Sequence, residues 1–303
     1  MEISVAGLGK MGTALVRRLL AQGQAVTVWD RRADRAETLA TAGAKPAARL
    51  ADLWRASRVV MTFLSDDEAV KQVYLGPGGL VETAPAGVLL IEMSTISPGA
   101  SGLVASAAQG RALHYLRCPV SGNPGVLASG NLAFIVSGDR GALEEARPLL
   151  EQVGSRIYYV GEGELARVMK LAVNAMLAAN AQMLAEVITL CEASGADRGA
   201  VLEVVGGSAI GSPFVKYKTD ALVGRKYDAT FTTAMLVKDL RLAQGVATAL
   251  SVPLPVTDLV AKLAIASCEE GLGDLDFLAL LPHLQAMARR PTDVPVCIPA
   301  REA

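Results

Sequence analysis

The chain has 303 residues, 51% of them hydrophobic, which is enough apolar material for two cored domains and too much for a disordered polypeptide. Its 29 Lys and Arg are balanced by 30 Asp and Glu without a long block of either sign, so the electrostatic footprint of a nucleic-acid or anionic-membrane binder is missing and small molecules are the expected partners. Cys118, Cys191, Cys268 and Cys297 are far apart, with no C-x-x-C pair and no accompanying histidines, which argues against a disulfide framework or a metal site.

"MEISVAGLGK" at the N-terminus runs straight into a strand-like segment without a basic n-region or cleavage site, so a cytoplasmic protein is expected. Gly, Lys, Asn or Glu interrupt the apolar stretches before the roughly 20 residues of a membrane span, so no segment is expected to cross a bilayer. In chain order, "ISVAGL", "AVTVWD", "RVVMTFL", "GVLLIEMS", "HYLRCPV", "LAFIVSG" and "RIYYVG" are predicted strands. Segments of helical spacing such as "TALVRRLLAQG" and "ADRAETLATAG" lie between most of them. Strands that are apolar throughout and joined by helices predict an α/β fold, a doubly wound, mostly parallel sheet over residues 1–162. From 163 to about 290 the pattern is helical, which predicts an all-α second domain joined by a long helix of some 30 residues, about 45 Å. Residues 291–303, with three prolines, read as a tail.

"VAGLGKMG" places Gly7, Gly9 and Gly12 as G-x-G-x-x-G after the first strand and at the opening of the first helix. The spacing allows a tight turn, a close backbone approach, and a helix N-terminus offered to a pyrophosphate. Asp30 ends the next strand about 20 residues on, where a carboxylate accepts from a ribose 2'-hydroxyl and favours NAD. Arg31 and Arg32 follow directly, where a 2'-phosphate would lie. The two signals oppose each other, and the reading leans slightly to NADP.

Further along, "RVMKLAVNAML" carries Lys170 and Asn174 four residues apart on one face of an otherwise apolar helix. Alone, that pair reads as a snorkelling lysine and an asparagine bonded to nearby backbone. The bland reading of "PVSGN" is likewise a Ser-Gly-Asn turn. His114 and His283 lack a nucleophile motif beside them and read as structural.

Taken with "FLSDDEAV", "MSTISPGA", "CPVSGNPGVLASGNL", "GEGELARVMKLAVN" and "LVKDLRLA", the glycine loop makes residues 1 to about 285 resemble the β-hydroxyacid dehydrogenases. That family includes the 3-hydroxyisobutyrate dehydrogenases, tartronate semialdehyde reductases and glyoxylate/succinic semialdehyde reductases. "GSPFVKYK", Phe231 and "VKDLRLA" look most like the last branch. The resemblance implies a hydride transfer between NAD or NADP and a small hydroxy, oxo or semialdehyde acid, with Lys170 as general acid or base and Asn174 holding the substrate or the lysine. It implies a substrate loop at Ser121, Gly122 and Asn123, with Phe231 and Asp239 nearby. Its cofactor contacts would fall on Gly7, Gly9, Met11, Gly12, Leu64, Thr95 and Lys238, beside Leu8 of the glycine loop and the Asp30, Arg31 and Arg32 already read after the second strand, and the family's dimers and tetramers imply a homo-oligomer. Hydride delivery leaves charge on a carbonyl oxygen, so a cation able to give up a proton suits the site independently of the resemblance.

Two departures stand beside the substrate loop. Arg117 replaces an acid, and would either admit a more acidic substrate or form an ion pair; Asn123 replaces a glycine or serine. Competing readings are an imine reductase, which generally lacks the lysine, and a non-enzymatic dinucleotide-binding module.

Overall fold

In the computed structural model, which describes residues 2–288, the continuously apolar segments form the interior strands of a sheet. Strands β1 (Glu2–Ala6), β2 (Ala25–Trp29), β3 (Lys45–Pro46), β4 (Val59–Thr62), β5 (Leu89–Glu92) and β6 (His114–Arg117) run parallel in the order β3-β2-β1-β4-β5-β6. Every residue of β4 and β5 is buried, as expected for parallel strands covered on both faces. The cover comes from α1 (Lys10–Ala21), α2 (Ala33–Ala40), α3 (Leu53–Ala56), α4 (Asp67–Leu75), α5 (Leu80–Thr83) and α6 (Pro98–Gln109).

Alternation along the strands separates two cores. Ile3, Val5, Met61 and Ile91 join Leu15 and Leu19 of α1 in one, whereas Ala6, Val60 and Leu90 join Tyr74 of α4 and Val104 of α6 in the other. The order of strand addition reverses between β1 and β4 while the strands stay parallel, so the crevice beyond their C-terminal ends is the place where this layer architecture leaves room for a ligand.

The predicted strand "HYLRCPV" is two strands. β6 ends at Arg117, and β7 (Val120–Ser121) follows Pro119, whose ring nitrogen has no N–H for a ladder. After α7 (Pro124–Ala128), β7 pairs antiparallel with β8 (Leu132–Val136). Beyond α8 (Arg140–Leu150), β9 (Gly154–Tyr159) pairs parallel with β8. The last two predicted strands therefore build a second, three-stranded sheet, linked to the first by an antiparallel bridge between Arg117 and Ser137. β3 escaped the sequence pattern because two residues, one of them proline, carry no periodicity.

Helix α9 (Leu165–Ala193) has 29 residues, about 44 Å at 1.5 Å per residue. It is followed by α10 (Arg198–Gly207), α11 (Pro213–Val223), α12 (Thr233–Leu250), α13 (Pro255–Ser267) and α14 (Leu280–Ala288). Two compact units emerge: residues up to Ala175 together with Lys238–Leu254, and Met176–Val237 together with the chain from Pro255 onward. The chain passes from the first unit to the second within α9 and back within α12. In the second unit Leu184, Ile188, Leu202, Leu222, Leu278 and Leu281 form a core, and Lys218 donates to Asp276 at 2.9 Å.

By length and composition alone α9 is apolar enough to cross a membrane, because the single polar residues that interrupt it do not lower its average enough. Arg167 near its start is fully buried against Glu92 of β5, the pattern of a helix that serves as protein core. Cys297 and the expected tail at 291–303 lie outside the described residues.

Candidate active site

The three glycines of the first loop serve different steric ends. Gly7 has φ +90°, and a Cβ there would stand 2.1 Å from Phe63 O; a Cβ on Gly12 would stand 1.8 Å from Gly7 O. The first permits the strand-to-helix turn beside β4 and the second lets α1 close on that turn. Nothing lies within 4 Å of a Cβ on Gly9, which also caps α1 without a side-chain bond. That open approach to a helix N-terminus fits a dinucleotide pyrophosphate. Leu8 and Met11 flank it, Leu8 buried and Met11 packed against the core of the α1 face.

Asp30 is buried, and its carboxylate is committed to the loop. Oδ2 accepts from Leu8 N at 2.7 Å and Oδ1 from Arg32 N at 2.9 Å, with Arg35 Nη1 3.5 Å from Oδ2. Arg32 is exposed and paired with Asp34 at 2.7 Å. Arg31 is exposed. Arg35, overlooked in sequence because it lies five residues past Asp30, returns to that carboxylate from the first turn of α2.

Lys170 and Asn174 stand on α9 as the i, i+4 spacing requires. Asn174 is buried and its Nδ2 donates to Asp239 Oδ2 at 2.5 Å. Asp239 is itself 2% exposed. Lys238 Nζ stands 2.8 Å from Asp239 Oδ1 without donating to it, and donates instead to Thr95 O at 2.6 Å. Lys170 takes part in none of these bonds. The residue is half-buried, but enclosure of its ammonium lowers the pKa to about 8; Asp239 pulls the value up and Lys238 pushes it down. A lysine in that range can release and recover a proton near neutral pH.

Around this cluster, Leu64 N donates to Ser94 Oγ at 2.7 Å, so the Leu64 amide is fixed beside the loop that carries Thr95. Ser121 ends β7 with its side chain exposed. Gly122 has φ +143°, and a Cβ there would stand 2.8 Å from Leu132 Cδ1. Asn123 caps α7, accepting from Val126 N at 3.0 Å, which gives its side chain a structural task. Arg117 donates from Nε to Glu164 Oε1 at 2.7 Å and lies 4.9 Å over the Tyr115 ring. Of the two roles open to it in sequence, the ion pair is the one formed.

Phe231 belongs to the second unit, where its ring centroid is 5.6 Å from that of Phe277 and its carbonyl accepts from Phe277 N. Sequence inspection missed Glu92, Ser94 and Arg167, a buried charged and polar group at the ends of β5 and the start of α9. The available signal was a glutamate closing the otherwise apolar "LLIE".

Residues 2–161 match the family model described as the NAD binding domain of 6-phosphogluconate dehydrogenase, and residues 164–284 match that of the NAD-binding of NADP-dependent 3-hydroxyisobutyrate dehydrogenase. The chain is 29% identical to glyoxylate/succinic semialdehyde reductase 2, chloroplastic, of Arabidopsis thaliana, over 96% of this chain and 81% of that protein. It is 32% identical to the NAD-dependent L-serine dehydrogenase of Pseudomonas aeruginosa, over 91% of this chain and 95% of that one. The solved structure of Psf3 in complex with NADP+ and 2-OPP superposes with a TM-score of 0.86 at 28% identity, covering 93% of this chain and 99% of the other.

Proposed function

The chain belongs to the β-hydroxyacid dehydrogenase family, and from that premise we propose that Lys170 moves the proton while Ser121 and the Gly122 N–H receive the carboxylate of a small oxo or semialdehyde acid. It is an NAD(P)-dependent oxidoreductase. The lysine assignment is carried by the place of Lys170 one turn before Asn174, whose amide is bound to the buried Asp239 that Lys238 ion-pairs, together with an ammonium whose pKa burial lowers to about 8.

When bound, the nicotinamide supplies the hydride in reduction and takes it in oxidation. As negative charge develops on the carbonyl oxygen, the Lys170 ammonium stabilises it and gives up a proton, and in the reverse direction the neutral amine recovers one. Asn174 contributes orientation rather than proton transfer, because its amide holds Asp239. Gly7, Gly9 and Gly12, with the first turn of α1, would hold the pyrophosphate, and Leu64, Thr95 and Lys238 the far end of the dinucleotide.

NADP(H) binds at least as well as NAD(H) on this reading. Both Asp30 oxygens already accept backbone N–H groups, whereas Arg31 is exposed and Arg35 stands beside Asp30. Titration of the two cofactors decides it, and a strong NAD(H) preference would return control of the pocket to Asp30.

The chain also works as a homo-oligomer. Met169, Met176, Met183 and Leu190 recur every seven residues along α9 and are 47 to 71% exposed, a continuous apolar stripe of the kind that a second helix covers. Sedimentation measures the state directly.

The functional test is a screen of NADH and NADPH oxidation against small aldehyde acids, oxo acids and cyclic imines. Turnover of acids, lost in Lys170→Met, supports the proposal. Turnover of imines alone would transfer the chemistry to C=N bonds, and nucleotide binding without turnover of either class would favour the non-enzymatic module.

A further inference from the structure

The assignment of Lys170 requires the helix that carries it to keep its place against the strand-end loop at residues 93–96. Two cations from different helices grip that loop at adjacent carbonyls. Arg167, just under one turn before Lys170 on α9, donates from Nη1 to Ser94 O at 2.9 Å. Lys238 on α12 donates to Thr95 O at 2.6 Å.

The rest of the Arg167 guanidinium is occupied as well. Nε meets Ser101 Oγ at 3.2 Å, Nη2 meets Tyr115 OH at 3.3 Å and Glu92 O at 3.4 Å, and Nη2 is ion-paired with the Glu92 carboxylate. Glu92 Oε1 accepts from Ser94 N at 2.9 Å, and Ser94 Oγ accepts from Leu64 N at 2.7 Å. Ser94 is thereby held at its amide, its carbonyl and its hydroxyl. The planar five-donor fork of an arginine can reach these separate acceptors at once, which a single ammonium cannot. Both Arg167 and Glu92 are wholly buried. A buried ion pair seldom stabilises more than an apolar pair of the same shape would, so stability alone is a weak reason for charges here, and geometry is a better one.

Resting on the reading of Lys170 above, we propose that Arg167 is a positioning residue of the active site: by holding the Ser94 carbonyl while Lys238 holds the next one, it sets where α9 presents the Lys170 ammonium to the ends of β4 and β5. The charged groups that face Lys170, Asp239 and Lys238 of α12, are left in place by the variants that test this.

Arg167→Lys keeps a cation but cannot serve all the acceptors, and Tyr115→Phe removes one acceptor while keeping the ring and the ion pair. Each is compared with the parent by thermal unfolding, cofactor Kd, substrate KM, kcat, and the pH dependence of kcat in the reductive direction. Cofactor Kd and KM should stay within about twofold, while kcat falls about tenfold in Arg167→Lys and about two- to threefold in Tyr115→Phe, because small displacements of a reacting group are costly. The alkaline fall of kcat should also move upward in Arg167→Lys, as water reaches an ammonium that the parent encloses. A lowered Tm with unchanged kcat and an unchanged pH profile would make Arg167 purely structural and overturn the proposal. Should Arg167→Lys not fold, Tyr115→Phe decides on the same measurements. Lys170→Met serves as the separate control: near-normal activity there sinks the lysine assignment itself, whereas a dead Lys170→Met beside an unaffected Arg167→Lys sinks the positioning role alone.

Discussion

The opening turn of α9 and the turn after it treat a positive charge in opposite ways. At Arg167 a fully buried guanidinium meets two backbone carbonyls, two hydroxyls and a carboxylate, and Glu92 and the Tyr115 hydroxyl hold its pKa above the ordinary value against the cost of burial. At Lys170, three residues on, the ammonium is enclosed yet stays outside the neighbouring hydrogen-bond chain, and burial lowers its pKa to about 8. A charge that holds elements together is saturated with partners. One that is to exchange a proton near neutral pH, as proposed for Lys170, has to be left short of them, and the desolvation it suffers would be part of its chemistry.

The contrast is broken most directly at Lys170. Lys170→Met should lower kcat by about 10³ or more with cofactor affinity unchanged, since general acid catalysis and electrostatic help are lost together. Lys170→Arg should recover little, because a guanidinium keeps its proton near neutral pH. The methionine variant should also unfold at a higher temperature than the parent at pH 7. At that pH the lysine is protonated in both the folded and unfolded chain, and only the folded chain bears the desolvation, on the order of 1–3 kcal/mol. That penalty is relieved as pH rises from about 8 toward the ordinary lysine value of 10.5, a window in which the unfolded chain binds the extra proton. Calorimetry of the two proteins at pH 7 and pH 10 should therefore show the difference shrinking.

Arg167→Met should do the reverse at the first turn, destabilising the protein by about 3–5 kcal/mol because it strands Glu92 as an unpaired buried charge. Adding Glu92→Leu should return much of that loss, measured as the denaturation midpoint. If the single variant were as stable as the parent, the saturated turn would not be the structural one.

A smaller effect sharpens the same contrast. With a lysine of pKa about 8, reduction needs the ammonium, so its kcat should decline above pH 8, while oxidation needs the amine and should decline below it. Each limb approaches about tenfold per pH unit. Two profiles that bend in the same direction would assign the proton to another group. Least in size, Ser121→Ala should raise KM for an acid substrate about tenfold and leave cofactor Kd alone, the loss of one hydrogen bond to a charged group. An unmoved KM would restore the plain turn reading of "PVSGN".

Features that depend on a few consecutive residues were legible in the sequence: the glycine loop after β1, the apolar strands of a two-sided sheet, and the placement of Lys170 and Asn174 on one helical face. Each follows from short-range sterics and from the periods of the strand and the helix. Tertiary structure alone decided that Asp30 closes on the Leu8 amide, that Pro119 hands the chain to a second sheet, and that Arg117 is spent on Glu164. It alone joined Asn174 to Asp239 across 65 residues and Arg167 to Ser94 across 73. Burial and the choice of an ionic partner are properties of elements far apart in the chain, so the lowered pKa that suits Lys170 to its proposed task has no counterpart in the order of residues around it.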